Sequence, residues 1–157
     1  MGTRSNLIVR VGQTRVFIYR HWDGYLSENG KDIAKAMIAA RQNPGRSEST
    51  EFLANLLNSR EEPNSRDPEG RRHYELTADI HGDIEWLYVI DYTADAVLVG
   101  YASGSYDTNF TESSARPVLT LEEFVGAVNS EIEKDERAAR RRNPGAVFEP
   151  YQKVSMA

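Results

Sequence analysis

An almost unbroken apolar run, Trp86–Ile90, constrains the fold of this chain more than any other feature. A strand with no polar side must be covered on both faces. The run lies within the strand candidate Glu85–Tyr92, and short polar turns separate it from two more candidates, Tyr74–Ile80 and Ala96–Ala102. Because strands joined by short turns commonly pair with each other, we expect a three-strand antiparallel meander with Trp86 buried at the sheet centre.

The N-terminal segment has the alternating, β-rich pattern of a hairpin. Its two arms are Leu7–Val11 and Thr14–Tyr19, and Gly12 and Gln13 between them form a natural turn. This hairpin leads into a second turn at Asp23 and Gly24.

Three segments are predicted to be helical. Apolar residues recur at helical spacing over Lys31–Ala40, and a shorter helix follows with Phe52, Leu53, Leu56 and Leu57 on one face. The last helix begins at Thr120, which forms a capping box with Glu123, and ends at Arg142.

Taken together, these elements predict a single α+β domain over residues 1–157, in which 143–157 is a C-terminal extension. The order is β-β-α-α-β-β-β-α. About three helices lie on one face of an antiparallel sheet of about five strands, made of the hairpin and the meander.

The composition narrows the setting. The 157 residues include 39% apolar and 27% charged side chains, which suits one globular domain. The absence of cysteine excludes disulfides and thiolate zinc sites and favours a reducing compartment, so we expect the cytoplasm. No apolar run approaches the roughly 20 residues that span a bilayer, and no membrane association is expected.

The charge pattern argues against general nucleic-acid binding. The net charge is −5, although the first fifty residues carry eight Lys/Arg against four Asp/Glu. An acidic protein is a poor candidate for non-specific duplex binding, which depends on many phosphate contacts. A local anion site in the first third of the chain remains compatible with this pattern.

The main candidate site is the turn after the N-terminal hairpin. It brings together Arg20, His21, Trp22, Asp23 and Tyr25. Arginine can bind phosphate with two parallel hydrogen bonds, an aromatic ring can stack on a base, and a carboxylate can accept from sugar or base donors. The alternative is a strand end whose Trp22 and Tyr25 simply fill the core.

Arg4 and Ser5 extend this candidate site. Residues 4 and 21 are almost equidistant from the turn at 12–13, so hairpin pairing would place Arg4 and Ser5 beside Arg20 and His21. The predicted ligand-binding set therefore has seven members: Arg4, Ser5, Arg20, His21, Trp22, Asp23 and Tyr25. Two arginines among small polar groups would suit an anion. The alternative is a polar lead-in to the first strand.

Other chemistry has weaker support. An acidic series follows strand ends and turns, where aspartate is favoured for turn formation: Asp79, Asp83, Glu85, Asp91 and Asp95. His73 and His81 flank a predicted strand and so point to its two ends. No P-loop, dinucleotide fingerprint or hydrolase motif is present. We therefore predict no metal, no cofactor and no catalytic residue.

Two segments resemble a family of uncharacterised phage and bacterial proteins. The first is Met1–Asn6, with the strand hairpin and then His21–Tyr25, and the second is Glu85–Asp91. Family members begin Met-Gly-Thr-Arg-Ser and carry an aromatic-Asp-Gly-Tyr-Pro segment followed by Gly-His-Gly and a helix. This chain has Leu26 and then Ser27–Gly30 in those places. The resemblance implies a phage protein acting in the bacterial host cytoplasm.

Three functions follow as hypotheses. The leading one is a non-enzymatic protein that sequesters a small phosphate-bearing, nucleotide-derived ligand and so counters bacterial immunity. The second is a small nucleotide or phosphoester hydrolase with His21 as acid/base and Asp23 or Asp91 as its partner. The third is a protein–protein inhibitor that uses the acidic middle of the chain. We also expect a homo-oligomer.

Overall fold

The computed structural model describes residues 2–157 and has the predicted α+β fold and element order. A π-helical turn, Leu26–Gly30, runs directly into the first helix, and a 3₁₀ turn, Glu112–Ala115, precedes the last. The principal elements are β1 (Ser5–Val11), β2 (Thr14–Arg20), α1 (Lys31–Gln42), α2 (Glu48–Leu57), β3 (Glu75–Thr77), β4 (Trp86–Asp91), β5 (Leu98–Ser103) and α3 (Leu121–Arg142).

The sheet is mixed, so the prediction of an antiparallel sheet with a three-strand meander is wrong in that respect. The strand order is β3-β2-β1-β4-β5. The N-terminal hairpin and the antiparallel β4–β5 pair of the predicted meander are present, but β4 pairs with β1 in parallel, and β3 pairs with β2 rather than with β4. Burial explains the arrangement, because β1 and β4 are covered on both faces and lie in the interior of the sheet, whereas the short, exposed β3 lies at an edge.

Side-chain alternation divides the sheet residues between two cores. Leu7 and Val9 belong to the large core under the three helices, which we call the helix face. Ile8 and Val89 belong to a smaller core on the reverse face. Ile80 and Ile84 cover this reverse face from segment 78–85, which returns the chain from β3 to β4.

The apolar run in β4 is buried except at its first residue. Residues 87–90 are fully buried, but Trp86 is half-buried, so the prediction of a buried Trp86 is wrong. Trp86 opens the strand rather than occupying its middle, and its ring stacks on Tyr88 with 6.0 Å between centroids. The apolar run therefore shows that both faces of the strand are buried, but it does not show at which residue the burial ends.

The C-terminal segment returns along α3. Asn129 Nδ2 donates to the carbonyl of Val154 (3.0 Å), and the Val154 N–H donates to Asn129 Oδ1 (2.8 Å). Val154 itself is buried in the large core.

Within residues 2–157, no helix combines the length and apolar character needed to cross a membrane.

The capping box of α3 is confirmed and supports a stability prediction. Thr120 Oγ1 accepts from the Glu123 N–H (3.2 Å), and Glu123 Oε1 accepts from the Thr120 N–H (3.0 Å). Thr120→Ala removes one of these bonds and should lower the free energy of unfolding by about 1 kcal/mol in chemical denaturation. Ser130→Ala, at an exposed position inside α3, is the control. Equal midpoints for the two variants would contradict the capping role.

Candidate functional site

The N-terminal motif and the turn at residues 21–25 pack against each other. A Cβ added to Gly2 would lie 2.2 Å from Trp22 Cε3, so the backbone there rests directly on the indole. The Gly24 N–H donates to the Thr3 carbonyl (2.8 Å), and a Cβ on Gly24 would lie 2.8 Å from Ser5 Cβ. Close contact therefore leaves no space for a side chain at residue 2 or residue 24, so both positions need glycine.

The structure separates Arg4 from Arg20. Ser5 pairs with Arg20 in the β1–β2 register, as the distance from the turn predicted, and both lie on the helix face. Because neighbouring side chains alternate, Arg4 lies on the reverse face, where its Nε is 3.6 Å from Asp83 Oδ2. The two arginines therefore do not converge on one anion.

Arg20 is committed to the interior and is only 5% exposed. Its Nη1 donates to Asp32 Oδ2 (2.6 Å) and to the Tyr74 hydroxyl (3.0 Å), and its Nε donates to the Trp22 carbonyl (2.7 Å). Burial lowers the pKa of Arg20, but Tyr74 and Asp32 more than offset this, so the guanidinium stays charged. Arg20 thus joins the turn to α1 and to the segment before β3.

A buried polar chain continues from Arg20 to Ser5. Burial raises the pKa of Tyr74, so its phenol stays protonated and donates to Asn29 Oδ1 (2.5 Å). Asn29 Nδ2 then donates to Ser5 Oγ (2.9 Å). Ser5 is fully buried, so its hydroxyl serves this network rather than a ligand.

A cavity of about 360 Å³ opens beside this network, between the turn and the segment before β3. Its lining is Arg20, His21, Trp22, Asp23, Glu61, Arg71, Arg72, His73, Tyr74 and Glu75. Four of the seven predicted residues are among them: Arg20, His21, Trp22 and Asp23. Arg4, Ser5 and Tyr25 do not line this cavity.

The second wall comes from a polar segment that is exposed over most of its length. Residues 59–73 form an irregular hairpin, which we call the 59–73 hairpin. Its arms are held together by the Glu61 N–H on the Arg71 carbonyl (2.8 Å) and the His73 N–H on the Ser59 carbonyl (3.1 Å). Polar composition and two prolines concealed the pairing, although the adjacent pair Arg71 and Arg72 was a visible signal of a basic site.

The cations of the cavity differ in their partners. Arg71 Nη2 lies 3.2 Å from Glu61 Oε1, and its guanidinium sits 5.6 Å from the centre of the Trp22 ring system. Arg72 is exposed and forms no ion pair or side-chain hydrogen bond with any residue of the described chain, 2–157. Arg72 is therefore the cation in this lining whose charge is available to a ligand.

Two histidines line the cavity, and neither is paired with a carboxylate within residues 2–157. His21 Nδ1 is 2.8 Å from the Tyr19 hydroxyl, and His73 Nδ1 is 2.8 Å from Ser59 Oγ. Burial, followed by the charge of Arg20, lowers the pKa of His73, so its ring is neutral at pH 7. Asp91, one proposed partner of His21, instead binds Arg10 (3.3 Å) at the far end of β4.

The turn at residues 21–25 also contains Tyr25, which does not line the cavity but contacts Asp23, which does. Its hydroxyl donates to Asp23 Oδ1 (3.3 Å). Burial, followed by the charge of Asp23, raises the pKa of Tyr25 to about 12, so the phenol remains a donor at neutral pH. Tyr25 therefore helps to orient the Asp23 carboxylate.

The acidic series does not converge. Asp83 is paired with Arg4 and Asp91 with Arg10. His81 stacks on Tyr19 with 4.1 Å between ring centres, on the reverse face and away from His73. No group of three or more histidine, cysteine or acidic side chains placed to hold a metal ion occurs in the part of the chain that the structure describes.

Comparison with protein-family models, with curated proteins and with solved structures finds no match for this chain.

Proposed function

We propose that the chain binds a small ligand that carries both a phosphate and an aromatic ring, and that it holds this ligand without altering it. The observation that carries the proposal is the position of Arg72, a cation with no ion-pair partner among residues 2–157, in the lining of a cavity that also contains Trp22. Arginine is suited to a phosphate, and an indole to a nucleobase. A nucleotide-derived molecule supplies both groups.

The state of Trp22 supports this ligand class. Its side chain is 40% exposed, an unusually open position for a tryptophan that could have filled a core. Arg71, which lies over it, is half exposed, and its ion pair with Glu61 lies near the surface, where such pairs contribute little and a ligand ring can displace the guanidinium. Base–aromatic stacking contributes about 1–3 kcal/mol per base, which is enough to matter for a small ligand.

The environment of the histidines supports binding without chemistry. A general base is usually oriented by a third group, commonly a carboxylate. His21 contacts Tyr19, and His73 contacts Ser59. The phage setting implied by the sequence resemblance suggests that the retained ligand is a nucleotide signal of bacterial immunity.

The test is a retention experiment on the purified protein. It is mixed with a panel of nucleotides, separated from free ligand by filtration and heated, and the released molecules are identified by mass spectrometry. Recovery of an intact nucleotide in proportion to protein is the expected result. Recovery of an altered nucleotide would support the hydrolase instead. If the protein retains none of the nucleotides, the proposal fails, and the protein–protein inhibitor becomes the better hypothesis.

The predicted homo-oligomer stays a prediction.

A further inference from the structure

The charges lining the cavity do not describe a site for a simple anion. Arg20 is matched by Asp32 and Arg71 by Glu61. Arg72 is left without a partner, and two carboxylates of the lining, Asp23 and Glu75, also form no ion pair with residues 2–157. A ligand that is only a phosphate would add negative charge at Arg72 without satisfying either carboxylate, so the lining favours a ligand that also carries a hydrogen-bond donor.

Asp23 is held in place by its backbone. Its φ is +54°, and among residues 2–157 it is the one non-glycine residue with positive φ. The next residue, Gly24, is tied to Thr3 through its N–H and has no space for a side chain. Aspartate tolerates this conformation better than most residues do. The backbone angles nevertheless fix the direction of the Cα–Cβ bond from which the side chain extends.

One oxygen of this carboxylate is free. Tyr25 donates to Oδ1, and Oδ2 accepts no hydrogen bond from any residue in the described part of the chain. A carboxylate oxygen is an acceptor only, so it selects a ligand group that carries N–H or O–H. The exocyclic amine of a nucleobase is such a group, and aspartate recognises the cytosine amine in this way.

The size of the cavity limits the ligand. At about 360 Å³ it lies near the lower end of the range of roughly 300–1,000 Å³ typical of small-molecule sites. That volume suits a single base–sugar–phosphate unit.

We propose that the ligand is a nucleoside monophosphate with an amino-bearing base, whose phosphate binds Arg72 and whose exocyclic amine donates to Asp23. This inference rests on the proposed function and narrows it. The base lies against Trp22, between Arg72 and Asp23. Bases that present a carbonyl in place of the amine set an oxygen lone pair against the Asp23 carboxylate and bind weakly.

Two matched pairs of nucleotides test the inference. AMP and IMP differ by an amine in place of a carbonyl, and so do CMP and UMP. In calorimetric titrations we expect AMP and CMP to bind at least about tenfold more tightly than IMP and UMP. The amine of AMP or CMP forms a hydrogen bond to the charged Asp23, and the carbonyl of IMP or UMP does not. Asp23→Asn keeps the left-handed turn accessible and offers both a donor and an acceptor, so it should remove the preference while phosphate binding persists.

The outcomes separate the two proposals. If the wild-type protein binds all four nucleotides equally, or if Asp23→Asn keeps the preference, the inference is overturned and the proposed function stands. Tighter binding of a linked dinucleotide than of the mononucleotides overturns the size argument alone. If neither kind of nucleotide binds, the proposed function fails together with the inference.

Discussion

Replacing Arg20 by alanine is expected to lower the free energy of unfolding by about 3 kcal/mol. The guanidinium is buried and makes three hydrogen bonds, to Asp32, Tyr74 and Trp22. Truncation leaves the Asp32 carboxylate without its cation and the Trp22 carbonyl without its donor. Loss of one partner from a buried charge pair is among the most damaging single changes.

Arg15→Ala is the matched control for this prediction. Arg15 lies on the same strand, but its side chain is 44% exposed and pairs with Glu112 near the surface. Exposed ion pairs contribute about 0–1 kcal/mol, so Arg15→Ala should unfold close to wild type in urea. Equal urea unfolding midpoints for the two variants would contradict the structural role of Arg20. Arg20 would then again be a candidate ligand contact.

The second large effect is expected at Arg72. Arg72→Ala should weaken the binding of a nucleoside monophosphate by roughly tenfold to a hundredfold, because it removes a charged hydrogen bond to phosphate worth about 1.5–3 kcal/mol. The free energy of unfolding should change by no more than about 0.5 kcal/mol, since the side chain is exposed and forms no ion pair or hydrogen bond within residues 2–157.

Arg66→Ala separates a specific contact from a general loss of charge. Arg66 is exposed in the same 59–73 hairpin but does not line the cavity. Both substitutions change the net charge equally. If the two variants lose affinity to the same extent, long-range attraction rather than contact at Arg72 accounts for the effect.

Local patterns predicted the local structure of this chain well. The capping box at Thr120 and the β1–β2 pairing depend on residues close in sequence, and both are present. The parallel pairing of β1 with β4 was not predictable in this way. Alternation and apolar runs show that each strand is covered, but they do not identify which strand lies beside it.

The candidate site was predictable only in part, for two physical reasons. Side-chain alternation sends Arg4 and Arg20 to opposite faces, which the equal distance from the turn did not reveal. The burial of Arg20 depends on Tyr74, a residue 54 positions away in sequence. The arms of the 59–73 hairpin are joined by backbone hydrogen bonds, which no side-chain pattern in the sequence reveals. Arg72 was therefore not predicted as a site residue.

The central claim is that a nucleotide lies against Trp22 and Arg72. The chain has two tryptophans, so a Trp86→Phe variant leaves Trp22 as the sole indole emitter. Titration of this variant with AMP should give a saturable change in Trp22 emission, and adding Arg72→Ala should shift that curve to roughly tenfold or higher concentrations. Calorimetric binding of AMP with Trp22 emission unchanged would contradict the claim, because the ligand would then occupy another part of the molecule.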